Sequence, residues 1–333
     1  MTEDISLTSE DFSHYMDDLG LDWAGVSAAA VAVSGGPDSM ALCGLLAEWA
    51  QARDITLHVM SVDHGLREGA AQEALDVGAW LSKAHPTVQH HILKWEDPAD
   101  SAIQEEARKA RYGLMEARCR GLGIAHLFLA HHRDDQAETV LFRLAKGSGL
   151  DGLAGMQPVQ FYEGVQLVRP LLEISKGALV SYCQAQNIPF AEDPSNQDGA
   201  YARVRLRQAR AVLEEEGLSA KRLSVTAKRL ARARQALEDI ADNAFEEAIL
   251  NKDTKRIVLN LKSLLSMPEE VMLRCVLKGI SMLRPDLDYA PRMERVESLV
   301  YDLRSQGSFR KRTLAGLIFE CSDDDSTLIM TLE

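Results

Sequence analysis

The run AVAVSGGPDS at residues 30–39 constrains the fold of this 333-residue chain more than any other stretch. A short apolar strand breaks into Gly35 and Gly36 and then meets Pro37 and Asp38 where a helix begins. Glycine lets a backbone approach a ligand closely, and the first-turn N–H groups of a helix favour an anion. Ser34 and Ser39 add two hydroxyl donors to the same turn. The strand–turn–helix unit therefore reads as a phosphate cradle, with a plain glycine turn as the simpler alternative.

The loop is also defined by what it lacks. A Walker A loop requires G-x-x-x-x-G-K-[ST], and the chain contains no Gly-Lys dipeptide. Asp38 stands in the loop without that lysine. A carboxylate beside polyphosphate needs a bridging cation, so the loop implies ATP with Mg2+, which Asp38 would reach through the phosphates.

Around this loop, helices are expected at 39–52, 68–84, 101–121 and 134–146, and strands at 55–62, 88–94, 125–130 and 165–169. Strands alternating with helices indicate an α/β fold with a parallel, doubly wound sheet and ligands at the carboxyl ends of its strands. Beyond about residue 218 the texture changes. Leu223, Leu230, Leu237, Ile240, Ala244 and Ile249 recur at helical spacing behind Ser219 as N-cap. A strand at 256–260, helices near 268–283 and 292–303, and strands at 316–321 and 327–332 complete a smaller helical, α+β unit. The expected domains are 1–216 and 217–333.

The acidic start fits neither a secretory signal nor a transit peptide, and no apolar stretch reaches the roughly 20 residues a bilayer requires. A cytoplasmic protein is expected, with no membrane partner. Cys43, Cys119, Cys183, Cys275 and Cys321 lie far apart without a C-x-x-C pair, which excludes the common iron-sulfur and zinc-ribbon spacings. Net charge is −13, yet residues 201–235 hold ten basic side chains against three glutamates. That stripe includes Arg203, Arg205, Arg207, Lys228 and Arg229 and suits one localised contact with nucleic acid; a solvated helical face is the alternative.

The second chemical constellation is AHHRDDQAET, residues 130–139, placed after a strand and opening a helix. At about 100° per residue, His131, Asp135 and Glu138 share one face if the helix starts at the histidine. They suit a metal or, as two carboxylates on one face, an ammonium group; acids decorating a helix N-terminus explain only Asp134 and Asp135. In EEARKARY (105–112), Arg108 and Arg111 stand one turn apart and can address a carboxylate or phosphate, or pair with Glu105. Gly147, Gly149 and Gly152 match G-x-G-x-x-G formally but follow a helix, so a flexible loop near the site is expected instead of a dinucleotide fingerprint. The turn-rich EDPSNQDGAYARVRLR, 192–207, reads as an interdomain connection.

SGGPDS in this context resembles the pyrophosphate loop of the PP-loop ATP pyrophosphatase superfamily. With VDHGLR (62–67), EEARKARY, HHRDDQAET, KGSGLDGLAGM (146–156), RPLL (169–172) and EDPSNQD (192–198), in this order, the chain is similar to the tRNA(Ile)-lysidine synthase family over most of residues 30–210. That resemblance implies a carbon–nitrogen ligase. ATP adenylates the C2 oxygen of the wobble cytidine in an isoleucine tRNA with a CAU anticodon, and free L-lysine then attacks C2 through its ε-amino group. Lysidine, AMP and diphosphate result, and the tRNA changes from methionine to isoleucine identity.

By the same resemblance Ser34, Gly35, Gly36, Pro37, Asp38, Ser39, Asp63 and His64 bind ATP. Arg111 meets the lysine carboxylate, and His131, Asp135 and Glu138 surround its amino groups. Asp38, Asp135 and Arg111 carry catalysis, with Asp135 first in line to accept the amine proton, and the C-terminal domain and the basic stripe bind tRNA. The family's Y-x-R-N-x-x-R pattern reads YARVRLR here, with Val204 at the asparagine. A sulfur-transferring relative of the same superfamily would ordinarily carry paired cysteines, and a regulator with a dead site would not need Asp38 and the acidic helix together. Nothing in the sequence requires or forbids a homodimer.

Overall fold

A computed structural model describes residues 7–63, 65, 69–95, 104–191, 202–287 and 291–333. The chain divides into two compact units, Met1–Ala231 and Arg232–Glu333. The first runs α1 (Ser9–Asp17), β1 (Ala28–Ala32), α2 (Pro37–Gln51), β2 (Thr56–Asp63), α3 (Ala70–Ala84), β3 (Gln89–Lys94), α4 (Gln104–Gly121), β4 (His126–Phe128), α5 (Arg133–Ala145), α6 (Leu150–Leu153), β5 (Val159–Tyr162), β6 (Val165–Val168), α7 (Lys176–Ala185), α8 (Ala202–Gln208) and α9 (Arg210–Glu215). The division itself falls inside α10 (Ala220–Ala248).

The strands form one sheet in the order β3-β2-β1-β4-β6-β5, parallel throughout except for the β5–β6 hairpin. Alternation along β1 shows why both faces are covered. Ala29 and Val31 enter a cluster with Leu42, Leu45, Leu46, Phe128 and Leu179. Ala30 enters a second cluster on the other face with Met60, Tyr112, Met115 and Leu127. Helices α2 and α7 thus cover one face and α4 the other, the doubly wound arrangement expected from the sequence.

Several elements lie beyond that expectation. Helix α1 opens on a capping box in which Thr8 Oγ1 accepts the Asp11 N–H and Asp11 accepts the Thr8 N–H. The antiparallel edge strand β5 exists because Glu163 and Gly164 both adopt positive φ, 46° and 88°, and so close a two-residue hairpin. The glycine-rich loop after α5 is pinned: Arg143 donates to the Gly152 and Gly155 carbonyls at 2.8 and 2.9 Å, and Gln136 bonds both backbone groups of Met156. The first turns of α10 pack Leu223 and Ala227 against Ala137 and Val140 of α5, which carries the first unit beyond residue 216.

The second unit comprises the rest of α10, β7 (Ile249–Lys252), β8 (Arg256–Asn260), α11 (Leu261–Ser266), α12 (Glu269–Leu283), α13 (Met293–Gln306), β9 (Arg312–Leu314), β10 (Leu317–Cys321) and β11 (Thr327–Leu332). Its sheet is antiparallel in the order β7-β8-β11-β10-β9. Phe245, Val276, Val300, Phe319 and Met330 form its core. Among the described residues, no helix is long and apolar enough to cross a membrane.

Phe128 of β4 sits in an aromatic group, with Trp23 stacked at 5.9 Å and Trp49 edge-on at 6.5 Å. All four tryptophans, Trp23, Trp49, Trp80 and Trp95, lie in that unit, so tryptophan fluorescence reads its unfolding. Phe128→Ala is expected to cost about 3–5 kcal/mol, measured as a lower urea midpoint of the fluorescence transition.

Candidate active site

Strands β1 and β4 are neighbours in the middle of the sheet, and the chain leaves them toward opposite sides. Ligand crevices of open α/β sheets form at such a switch point, outside the carboxyl ends of the strands. Two of the chemically loaded segments emerge there side by side: SGGPDS from β1 and HHRDDQ from β4. They border a cavity of about 880 Å³ that also receives residues from α3, α4, α7, α8, α9 and α10.

The loop is held by its own serine. Ser39 Oγ donates to the Gly36 carbonyl at 3.0 Å, accepts the Ser34 N–H at 3.1 Å and lies 3.3 Å from Ser34 Oγ. Gly35 takes φ +88°, which L side chains rarely adopt, and its carbonyl accepts the Ala191 N–H at 2.9 Å. Pro37 opens α2, where its missing N–H costs nothing, and directs Asp38 into the cavity.

Helix α5 starts at Arg133, later than a helix beginning at His131 requires. His131 therefore precedes the helix, yet it lines the cavity with Asp135 and Glu138. His132 is the N-cap and is only 4% exposed. Its Nε2 lies 3.4 Å from both Asp38 and Asp135, and its Nδ1 lies 3.8 Å from Asp134. Burial alone would lower the His132 pKa, but the hydrogen bond to Asp38 and the charges of Asp135, Asp38 and Asp134 raise it overall. Asp134 accepts the Lys176 N–H at 3.0 Å and pairs with Arg210. Those contacts outweigh its burial and lower its pKa.

The opposite charge pattern surrounds His131. Burial, then the charges of Arg169, Arg108 and Arg111, hold its pKa well below the ordinary imidazole value, so it is neutral. Arg169 follows β6, is buried, and donates to the Gln157 carbonyl at 2.9 Å and Gln160 Oε1 at 3.1 Å. Arg111 lines the cavity itself. The cavity wall thus carries the acids Asp38, Asp134, Asp135 and Glu138 together with the Arg111 guanidinium, which matches a zwitterion or a ligand carrying both signs.

Other expected site residues are distributed differently. Asp63 accepts the Gly65 N–H at 3.1 Å at the end of β2 and is not part of the cavity wall. His64 lies outside the described residues, as do 192–201, and the Arg203 side chain is not described. Arg207, grouped by charge with the nucleic-acid contacts, instead donates to both Glu138 oxygens at 2.5 and 3.1 Å and stands 3.8 Å from Asp135. Lys228 pairs with Glu173, and Arg205, Lys228 and Arg229 are all exposed. His132, Lys176 and Arg210 escaped the sequence reading. His132 alone had a local signal, the spacing of an N-cap three residues before Asp135.

The fold and the loop define the class: residues 8–215 match the PP-loop domain family, whose members use ATP. Among solved structures the chain is similar to the U34-tRNA thiolase NcsA from Methanococcus maripaludis with its [4Fe-4S] cluster. The TM-score is 0.54 at 17% identity, over 67% of this chain and 79% of that one, a likeness of fold. Among curated proteins, the tRNA(Ile)-lysidine synthase of Rhodopseudomonas palustris is 39% identical over 324 residues, covering 93% of this chain and 92% of that one. That of Methylobacterium nodulans is 40% identical, covering 89% and 86%. Within the PP-loop class, the chain belongs to the tRNA(Ile)-lysidine synthase family.

A histidine whose pKa is raised by folding adds stability below its unfolded value, and the gain is lost as pH rises through the folded value. Relative to His132→Gln, the wild type is expected to gain most stability below pH 6.5, the unshifted value, and to lose that margin as pH climbs above it. Denaturant midpoints across pH 5.5–9 check this; a margin that does not fall with pH contradicts the bridge.

Proposed function

We propose that this chain is an ATP-dependent carbon–nitrogen ligase that joins free L-lysine to C2 of the wobble cytidine of tRNA(Ile) with a CAU anticodon. The observation that carries the reading is the convergence of Asp38 from the loop and Asp135 from α5 on one buried imidazole. Both carboxylates line one cavity, which supports reading the loop as the phosphate cradle and the α5 acids as the amine-accepting face.

The residues fit Mg2+ brought in with ATP. Asp38 Oδ1 is buried with no hydrogen-bond partner among the described residues, so one carboxylate oxygen is available to a hard cation. No group of three or more His, Cys, Asp or Glu among the described residues is arranged to hold a metal by protein ligands alone. A single carboxylate plus phosphate oxygens and water is the donor set magnesium favours. Bound there, the ion would neutralise phosphate charge as pyrophosphate departs.

In the first step the C2 oxygen attacks the α-phosphorus, the bond to the bridging oxygen breaks, and pyrophosphate carries away the electron pair. Ser34, Gly35, Gly36 and Ser39 hold the phosphates. In the second step the ε-amine attacks C2, AMP leaves with the C2 oxygen, and the amine loses a proton. Arg111 receives the lysine carboxylate; Asp135 and Glu138 receive its ammonium groups, and neutral His131 lines the same cavity. Asp135 is the proton acceptor we favour. Catalysis then rests on position and charge. Buried thiols such as Cys43, Cys119 and Cys183, whose pKa values burial pushes up to about 12, are poor nucleophiles. Arg205, Lys228, Arg229 and the domain beyond residue 216 hold the tRNA in this reading, which places the protein in the cytoplasm.

Incubation with ATP, magnesium, radiolabelled lysine and a tRNA(Ile) transcript bearing CAU is expected to label the tRNA; absence of label sinks the proposal. Asp135→Ala should reduce labelling by about 100-fold or more, the scale of a lost charge-stabilising group, while ATP affinity changes little. Loss of ATP binding in that variant would reassign the acid face.

A further inference from the structure

A second polar constellation lies outside the cavity, on the face of the sheet that α4 covers. That face is apolar around Ala30, Met60, Met115 and Cys119, yet it also holds two imidazoles. His58 of β2 pairs in register with Gln89 and Met60 with His91, so His58 and His91 of β3 stand diagonally on one face. Their rings are stacked, 9° from parallel with centroids 5.2 Å apart, and His58 Nδ1 lies 2.9 Å from His91 Nε2. Arg118 of α4 completes the row, with Nη2 2.9 Å from His91 Nδ1. His90 takes the opposite face and bonds Ser61 Oγ at 3.0 Å.

Arginine can only donate, which fixes every proton in the row. Arg118 donates to His91 Nδ1; His91 then carries its proton on Nε2 and donates it to His58 Nδ1. Both imidazoles are neutral, and their lone pairs are used. A further proton would set N–H against N–H, or an imidazolium against the guanidinium. Nothing nearby offsets that: the charges that bear on the pair are Arg118 for both rings and, for His91, His58 and His90, with no carboxylate among them. Ala30 is the β1 neighbour of His58. On α4, burial pushes the Cys119 thiol up to about 12, and Glu116 is taken by Arg120. Burial, then the Arg118 charge, holds both imidazoles below the ordinary value.

Arg118 follows Arg111 on α4 by seven residues, about 20° short of two full turns, so both leave the same side of the helix. Arg111 lines the cavity. The contacts of Tyr112, Met115 and Cys119 hold α4 against the sheet, but apolar contact is non-directional. A row of hydrogen bonds with assigned donors also sets the rotation of the helix.

We propose that Arg118, His91 and His58 form a latch that holds α4 in the rotation aiming Arg111 into the cavity, and that the latch closes only while both imidazoles are neutral. Arg118 is then a positioning residue for a ligand carboxylate at Arg111, which rests on the reading above in taking that carboxylate as the one of L-lysine. The unfolded chain protonates these histidines near pH 6.5 and the folded chain only at lower pH, so the latch is complete above 6.5 and opens as pH falls below it. The sign is opposite to that of His132.

Hydrogen exchange of β3 and α4 in the full chain, corrected for the intrinsic effect of pH, is read together with L-lysine and ATP affinities. In the wild type, protection of both elements is expected to hold at about pH 8 and to fall at about pH 5.5. Arg118→Met should lack that step, with low protection throughout, and should weaken lysine binding about 3- to 30-fold at the higher pH with ATP affinity unchanged, the range over which residues outside a site modulate binding. Arg118→Lys, which still donates, should restore most of the loss. In tRNA labelling, KM for lysine should rise in the methionine variant with KM for ATP unchanged. Wild-type protection that does not change with pH, unchanged lysine affinity in Arg118→Met, or an equal loss of ATP affinity would each overturn the proposal. Wild-type protein that does not label tRNA, but binds lysine more tightly than Arg118→Met does, would remove the ligase reading and leave the latch standing.

Discussion

Three aspartates, Asp38, Asp134 and Asp135, meet around one buried histidine, and the rest of the site depends on that imidazole. Asp134 is buried and Asp38 and Asp135 are partly so, and carboxylates drawn out of water without partners are expensive. His132 relieves the cost by standing 3.4 Å from Asp38 and Asp135 at once. Because Asp38 follows β1 and Asp135 follows β4, the same contact joins the phosphate loop to the acidic helix across the switch point of the sheet. The N-cap position makes this possible: the residue before the first helical turn has extended backbone, φ −123° and ψ −179°, and projects across the strand ends instead of along the helix face.

Once the acids are assembled, elements far along the chain provide their counter-charges. Arg207 from α8 covers Glu138, Arg210 at the start of α9 covers Asp134, and Lys176 from α7 approaches Asp38. These pairs let an acid-rich cavity exist in the folded protein before any ligand arrives, and they define what a ligand must do. Burial and the charges of Arg169, Arg108 and Arg111 keep His131 neutral, and of these arginines Arg111 lines the cavity.

The parts of this arrangement that are local in sequence were legible there. SGGPDS announces a strand, a tight turn and a helix start within ten residues, and Asp134, Asp135 and Glu138 share a segment with their helix. What depends on strand order was not legible. Nothing in the spacing of Asp38 and His132 says that β1 lies beside β4. The helix α7 was missed because its short apolar run, ALV followed by YC, is too brief to show a period. The β5–β6 hairpin was missed because Glu163 is not a usual residue at positive φ, so the turn lacked its common Asn-Gly or Asp-Gly signature.

The basic stripe shows most clearly how charge counting and structure differ. Ten cations between residues 201 and 235 look like a surface for a polyanion. Two of them are committed inside the first unit, Arg207 to Glu138 and Arg210 to Asp134 and Glu214, whereas Lys228 meets Glu173 in a pair exposed on both sides. Arg222 also turns back, toward the Gly217 carbonyl. The salt dependence of nucleic-acid binding counts only phosphates neutralised by cations free to meet them. The stripe is therefore weaker as a surface than its composition suggests, because part of its charge neutralises the chain's own acids, and in doing so it builds the wall of the cavity.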